Sequence, residues 1–416
     1  MSIKICDGKS GAGRGPGIIG RGARLLALIA ASACASSYAQ NANTIEVSGN
    51  WQMQDAEVVK AEALKQGWYR ESSAKQPEEG REISKVSFEP KGWYKATVPG
   101  TVLTTLVNNN VYPEPLYDEN NRPEKIPEDL CRKDWWYRAT VNIPEDFKDK
   151  IVWLNFNGIN YSAEVWVNGK RVGPIHGAFI RGIFDITKYD VKPGKETAIA
   201  VRISPQPTKG IPSEHTMGTT GGPCGGEGRL DGPTFGCSVG WDWQSGIRDR
   251  NSGIWQNVTI SATGPAIIKD PYVTTDLPNL PKTDIATVSV EVPVQNVTDK
   301  PVKGTVKGSF GNVKFEKKID IAPWHTATVK FTPEEYPQLK LENPKLWWPN
   351  GLGEPNLYRL SLSFEDEKAV SDTRELNFGI RKFEYFEPGN PNFALSVNGV
   401  RVFMKGGNWG MEEALK

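Results

Sequence analysis

The chain has 416 residues, enough for about two or three domains with sizeable cores. Its 50 Lys plus Arg against 49 Asp plus Glu leave a formal net charge of +1, which excludes phosphate-backbone binding as the main business, since that needs a basic excess. Hydrophobic residues at 38% and 14 Trp exclude a disordered chain, while 42 Gly and 30 Pro exceed the usual combined share of roughly 12% and favour turns and short strands over long helices.

The first 39 residues read as a signal peptide rather than as fold. Arg14, Arg21 and Arg24 form a basic region, and Leu25-Leu26-Ala27-Leu28-Ile29-Ala30-Ala31 an apolar run too short to span a bilayer. Ser37-Tyr38-Ala39 then supplies an A-x-A-like cleavage site before Gln40. Cys34 offers lipidation as an alternative, but Ala31-Ser32-Ala33 lacks the usual Leu three residues before such a Cys. The reading predicts export to a periplasmic or extracellular space, with no membrane attachment after cleavage. Cys224 and Cys237 flank a Gly-rich stretch, and an oxidising compartment makes them a candidate disulfide, with two thiols as the alternative.

From about residue 45 the pattern is β. Ile151–Phe156 is a strand, and 163–167 and 170–172 form a hairpin around Asn168-Gly169, which suits the two positive-φ positions of a type I′ turn. Strands are also predicted over 197–203 and 253–260, and helical turns only near 55–66 and 102–107. Strand spacing of roughly ten residues predicts a jelly-roll sandwich over 45–263. After Thr263-Gly264-Pro265, strands at 286–292, 305–310, 313–321, 326–331 and 357–364 predict an immunoglobulin-like sandwich over 264–381. A last hairpin, 393–397 and 400–404 around Asn398-Gly399, either packs on the second sandwich or opens a further domain.

Several long blocks carry a resemblance. They are Val98-Pro99-Gly100-Thr101-Val102-Leu103, the stretch from Asn157 to Gly169, Gly240-Trp241-Asp242-Trp243 with Ile247 to Trp255, the stretch from Asn343 to Gly351, Phe378-Gly379-Ile380-Arg381, and Asn398 to Trp409. Together they resemble glycoside hydrolase family 2, in the branch holding β-mannosidases, exo-β-glucosaminidases and mannosylglycoprotein endo-β-mannosidase. The resemblance implies an all-β N-terminal jelly roll of the galactose-binding kind, an immunoglobulin-like sandwich, and then a (β/α) barrel whose start is 382–416 and which is truncated here. It implies retaining hydrolysis of O-glycosidic bonds by two Glu, with carboxyls about 5–5.5 Å apart. Both Glu are expected beyond Lys416, so no catalytic residue is assigned; Glu412 and Glu413 sit too early.

Trp241-Asp242-Trp243 is the principal candidate for substrate binding. Aromatic faces stack on a pyranose and a carboxylate accepts bonds from sugar hydroxyls; in related β-mannosidases this loop borders the terminal-sugar subsite. Asn408 and Trp409 follow the expected first barrel strand, where the site of such a barrel opens. Arg248, Asp249 and Arg250 are read as either a pocket rim or a loop held by ion pairs. Asn160, Asn257 and Asn296 head N-x-S/T triplets of a kind that also arises by chance. Only three His occur, His176, His215 and His325, far apart. No metal and no cofactor is expected; the expected partner is an oligosaccharide or glycan, not nucleic acid. Two functions stay open: the N-terminal part of a secreted retaining exo-β-glycosidase, or a free-standing carbohydrate-binding protein without catalysis.

Overall fold

The computed structural model describes residues 43–66, 79–117, 119–122, 124–207, 247–385 and 393–407. In chain order the first part carries β1 (Thr44–Glu46), β2 (Gln52–Asp55), α1 (Ala56–Gln66), α2 (Glu79–Ile83), β3 (Tyr94–Lys95), α3 (Val102–Asn108), β4 (Trp135–Asn142) and β5 (Ile151–Phe156). It continues with β6 (Ser162–Val167), β7 (Lys170–His176), β8 (Gly182–Asp185), β9 (Glu196–Ser204) and β10 (Val258–Thr263). Among the described residues these strands form two antiparallel sheets, ordered β3-β2-β4-β9-β6-β7 and β1-β10-β5-β8. Trp51, Tyr137, Phe156, Val201 and Ile260 fill the space between them. Each buried side chain of this size contributes about 1.5–3 kcal/mol, which is what the alternation of β5 secures.

Strand β4 is the element that the sequence hides. Its run Trp135-Trp136-Tyr137-Arg138-Ala139 is buried throughout, so no alternation of apolar and polar residues marks it. Tyr137 faces the sandwich core, whereas Trp136 packs with Trp166, Ile83, Val59 and Ala56 in a small outer core beneath α1 and α2. Arg138 is tolerated there because its Nε donates to the Ile83 carbonyl at 2.9 Å.

The expected strand over 253–260 is corrected: the ladder begins only at Val258. Arg250 and Asn251 lie at φ 53° and 56°, and Gly253 at φ 152°, so the chain turns tightly before joining the sheet. The expected helical turns are present as α1 and α3. Thr101 caps α3, its hydroxyl accepting from the Thr104 amide.

The second sandwich contains β11 (Ala266–Ile268), β12 (Tyr272–Asp276), β13 (Ile285–Asn296), β14 (Val302–Phe310), β15 (Val313–Ile321), β16 (Thr326–Phe331), β17 (Lys340–Glu342), β18 (Tyr358–Asp366) and β19 (Val370–Phe378). Strand β13 alternates buried and half-buried residues over its whole length and pairs with β11, β12, β16 and β17. The facing sheet is ordered β15-β14-β18-β19. Val290, Phe310, Phe331 and Phe364 lie in the core between them. The architecture is all-β, a galactose-binding-like sandwich followed by an immunoglobulin-like one.

The last strands, β20 (Phe383–Tyr385), β21 (Leu395–Val397) and β22 (Val400–Val402), form a three-stranded sheet. Asn398 ties it to the second sandwich: its Nδ2 donates to the Trp347 carbonyl at 3.0 Å and its Oδ1 accepts from the Lys382 amide at 2.9 Å. Among the described residues no helix is long and apolar enough to cross a membrane.

Candidate functional site

Trp241, Asp242 and Trp243 lie outside the described residues, as do Cys224, Cys237, Asn408 and Trp409. The structure describes the chain again from Ile247, which follows the Trp241–Trp243 segment in sequence. Three of the sequence blocks singled out above meet there: the loop before α3, the loop between β5 and β6, and the stretch from Ile247 to Gln256.

The junction is built from backbone pairing. Gly100 N donates to Ile254 O at 2.8 Å and Val102 N to Ser252 O at 2.8 Å. Asn160 and Gly253 exchange both backbone bonds at 2.9 Å. Gly253 permits this close approach, because a Cβ there would meet Gly100 O at 2.5 Å and the Thr101 Cα at 2.8 Å. The peptide bonds Val98–Pro99 and Asn160–Tyr161 are cis.

Side chains complete the junction. The Asn160 amide is buried and donates to the carbonyls of Arg250 at 2.9 Å and Asn251 at 3.0 Å. Asp249 is fully buried; its carboxylate accepts from the Leu103 amide at 2.6 Å and the Asn251 amide at 2.9 Å. Burial pushes the Asp249 carboxyl above its ordinary 3.8, against the opposing pull of the Leu103 amide, the Thr101 hydroxyl, the Asn251 amide and the Arg250 charge. Beside it, burial first and the Asp249 charge second raise the Tyr137 hydroxyl, which stays a phenol at any working pH. Arg248 and Arg250 are buried too, and their guanidinium groups donate to the carbonyls of Asn121 and Ile247. Trp255 Nε1 donates to the Ala178 carbonyl at 2.9 Å, and its ring meets Phe179 edge-on at 5.9 Å.

Of the two readings of Arg248-Asp249-Arg250, burial opposes the rim: all three are in the interior, and their described bonds go to backbone groups and the Thr101 hydroxyl. The Asp249 carboxyl has no exposure and joins the start of α3 to the turn at Asn251. Asn160 was legible in sequence only as the head of an N-x-S triplet, and its buried amide rules it out as a glycan acceptor, as does that of Asn296, which donates to the Lys300 carbonyl at 2.7 Å. Among the described residues no group of His, Cys, Asp and Glu is arranged to hold a metal ion.

Comparison with known proteins matches two stretches of the chain. Residues 43–256 match the profile described as glycosyl hydrolase 2 galactose-binding domain-like, and 266–381 match glycosyl hydrolases family 2. The chain belongs to glycoside hydrolase family 2. Within the family, an exo-beta-D-glucosaminidase of Streptomyces avermitilis is 32% identical over 356 residues, 84% of this chain and 36% of that protein. A mannosylglycoprotein endo-beta-mannosidase of Lilium longiflorum is 30% identical over 371 residues, 85% of this chain and 38% of that protein. The exo-chitosanase of Amycolatopsis orientalis shares the fold with a TM-score of 0.68 at 24% identity, over 90% of this chain and 38% of its own. The chain thus spans little more than a third of the length of the curated relatives it matches.

Proposed function

We propose that this chain is the substrate-flanking part of an exported, retaining β-glycosidase that acts on terminal mannose or glucosamine in oligosaccharides. The observation that carries the reading is the joint match of both sandwiches to the family, together with relatives named for glucosaminidase and mannosidase activity. Retaining hydrolysis needs two carboxyls about 5–5.5 Å apart, one protonating the leaving oxygen and one forming the glycosyl intermediate. In this reading those two Glu belong to a barrel that opens within 382–416 and continues past Lys416. The exposed Tyr385 and Phe403 support it as apolar surface that such a barrel would cover. Asn408 and Trp409 would border the same site.

The share of the described residues is positional. The Asp249 and Asn160 junction holds the flank of Trp241-Asp242-Trp243, whose aromatic faces and carboxylate suit the terminal sugar. The basic stretch, short apolar run and Ser37-Tyr38-Ala39 support export with cleavage before Gln40.

The test is kinetic. The gene extended by its barrel is expressed, and aryl β-glucosaminide and β-mannoside hydrolysis are measured for wild type and Asp242→Ala. A charge-assisted hydrogen bond to a sugar hydroxyl contributes roughly 1.5–3 kcal/mol, so kcat/KM should fall about 10- to 100-fold with the melting temperature unchanged. Unchanged kinetics would remove Asp242 from the site. Absence of turnover on either glycoside by the wild type would sink the activity itself.

A further inference from the structure

The two sandwiches enclose a cleft of about 970 Å³, within the size range of ligand pockets, that shares no residue with the junction at Asp249. Its floor is the outward face of the sheet β15-β14-β18-β19. Register places Glu316, Lys307, Ser363 and Thr373 in one row across four strands. Lys314, Ser309, Ser361 and Glu375 form the next row. The opposite wall is β1 and the start of β10, with Glu46 and Thr259, and with Asn257 just before the strand.

The β10–β11 connection is held against β19 of the floor sheet. Strand β10 runs straight into β11, and Gly264 N donates to Ser371 O at 2.7 Å at the joint. The buried Ser371 hydroxyl accepts from Ala266 N at 2.9 Å and donates to Ala266 O at 2.6 Å. Buried Asp372, next to the floor residue Thr373, accepts from Ile268 N at 2.8 Å. The floor sheet is thus held to the strand that follows β10 in the chain.

The lining selects the ligand class. Ser309, Ser361, Ser363 and Thr373 offer hydroxyls that both donate and accept. Lys307 is paired with Glu365, and Glu375 with Arg359, whereas Glu46, Lys314 and Glu316 make no ion pair among the described residues. Carboxylates on both walls oppose a phosphate or nucleic-acid ligand. A floor of hydroxyls and charges opposes a lipid or an apolar peptide. Carboxylates and hydroxyls spaced along an extended floor match the vicinal hydroxyls of a sugar chain. From this geometry we infer that the cleft between the two sandwiches binds an oligosaccharide along the rows of Ser309 and Lys307.

The experiment uses the chain as it stands and β-1,4-mannotetraose as probe, with calorimetric titration and acetylation of lysines read by mass spectrometry. Binding should shield Lys314 from acetylation. Ser309→Arg with Ser361→Arg, both on the solvent side of their strands, should weaken binding about tenfold or more. Asp242→Ala should leave both readouts as in the wild type, which separates this cleft from the loop of the proposed function. Should the double variant not fold, Glu316→Gln together with Lys314 shielding decides instead. The inference is overturned by absence of binding, by binding that leaves Lys314 labelling unchanged, or by binding that Asp242→Ala abolishes and the double variant leaves alone.

Discussion

The carboxylate of Asp249 lies 2.6 Å from the backbone nitrogen of Leu103, across 146 residues of sequence. This contact ties the first turn of α3 to the turn that leads back into β10. A helix start has amides without intrahelical partners, and a buried carboxylate there satisfies one of them and complements the helix dipole. One ionisable side chain thereby fixes where two distant loops meet.

Removing it should be costly. Asp249→Ala leaves the Leu103 and Asn251 amides buried without that acceptor, and each such orphan costs about 1–3 kcal/mol. A clear fall in urea midpoint with an unchanged m-value is expected. An unchanged midpoint would mean that water replaces the carboxylate.

The same residue sets a pH dependence. Burial raises the Asp249 carboxyl above its ordinary 3.8 in the folded chain, so between 3.8 and the folded value the native state binds more protons than the unfolded one. Stability from this group is then fully present below 3.8 and falls as pH rises through the folded value. Urea unfolding of wild type and Asp249→Asn should show a larger gap at the acid end than at pH 7. A gap that shrinks on acidification would reverse the sign.

Two glycines should part company. At Gly253, φ is 152° and a Cβ would sit 2.5 Å from Gly100 O, so Gly253→Ala should destabilise by about 3 kcal/mol or more. At Gly311, φ is 52° and nothing lies within 4 Å, so Gly311→Ala should cost only about 1–2 kcal/mol. Comparing the two melting temperatures tests the close approach itself, and equal losses would argue against it.

Asn160→Asp replaces two donors with a carboxylate facing the carbonyls of Arg250 and Asn251. A loss of about 2–4 kcal/mol is expected, because an acceptor then opposes acceptors in a dry site. Chemical denaturation checks it; a near-neutral result would mean that the amide contributes nothing to the junction.

Arg381 stacks over Trp347 at 4.3 Å and over Phe383 at 5.1 Å, joining β20 to the second sandwich. Arg381→Ala should cost about 0.5–2 kcal/mol, and Arg381→Lys less, since the cation is kept but the flat stacking surface is lost. Equal effects of the two variants would assign the contribution to planar packing rather than to charge.

Sequence alone determined the strands that obey a simple period. Val313–Ile321 and Thr326–Phe331 have the predicted limits, because one face of each meets a core and the other meets water; Ile151–Phe156 has them too, as an apolar run without that period. It also determined the hairpin turns at Asn168-Gly169 and Asn398-Gly399, whose asparagines and glycines adopt positive φ. The family blocks were legible as separate stretches. Tertiary structure decided what they do together. Strand β4 lost its alternation because a second small core covers its outer face. The strand read through 253–257 gave way to a turn because Asp249, Asn160 and Gly253 satisfy its backbone across the loops. Whether a charged residue faces solvent or is sealed under a helix depends on contacts more than a hundred residues away, such as that between Asp249 and Leu103. Local pattern contains no record of them.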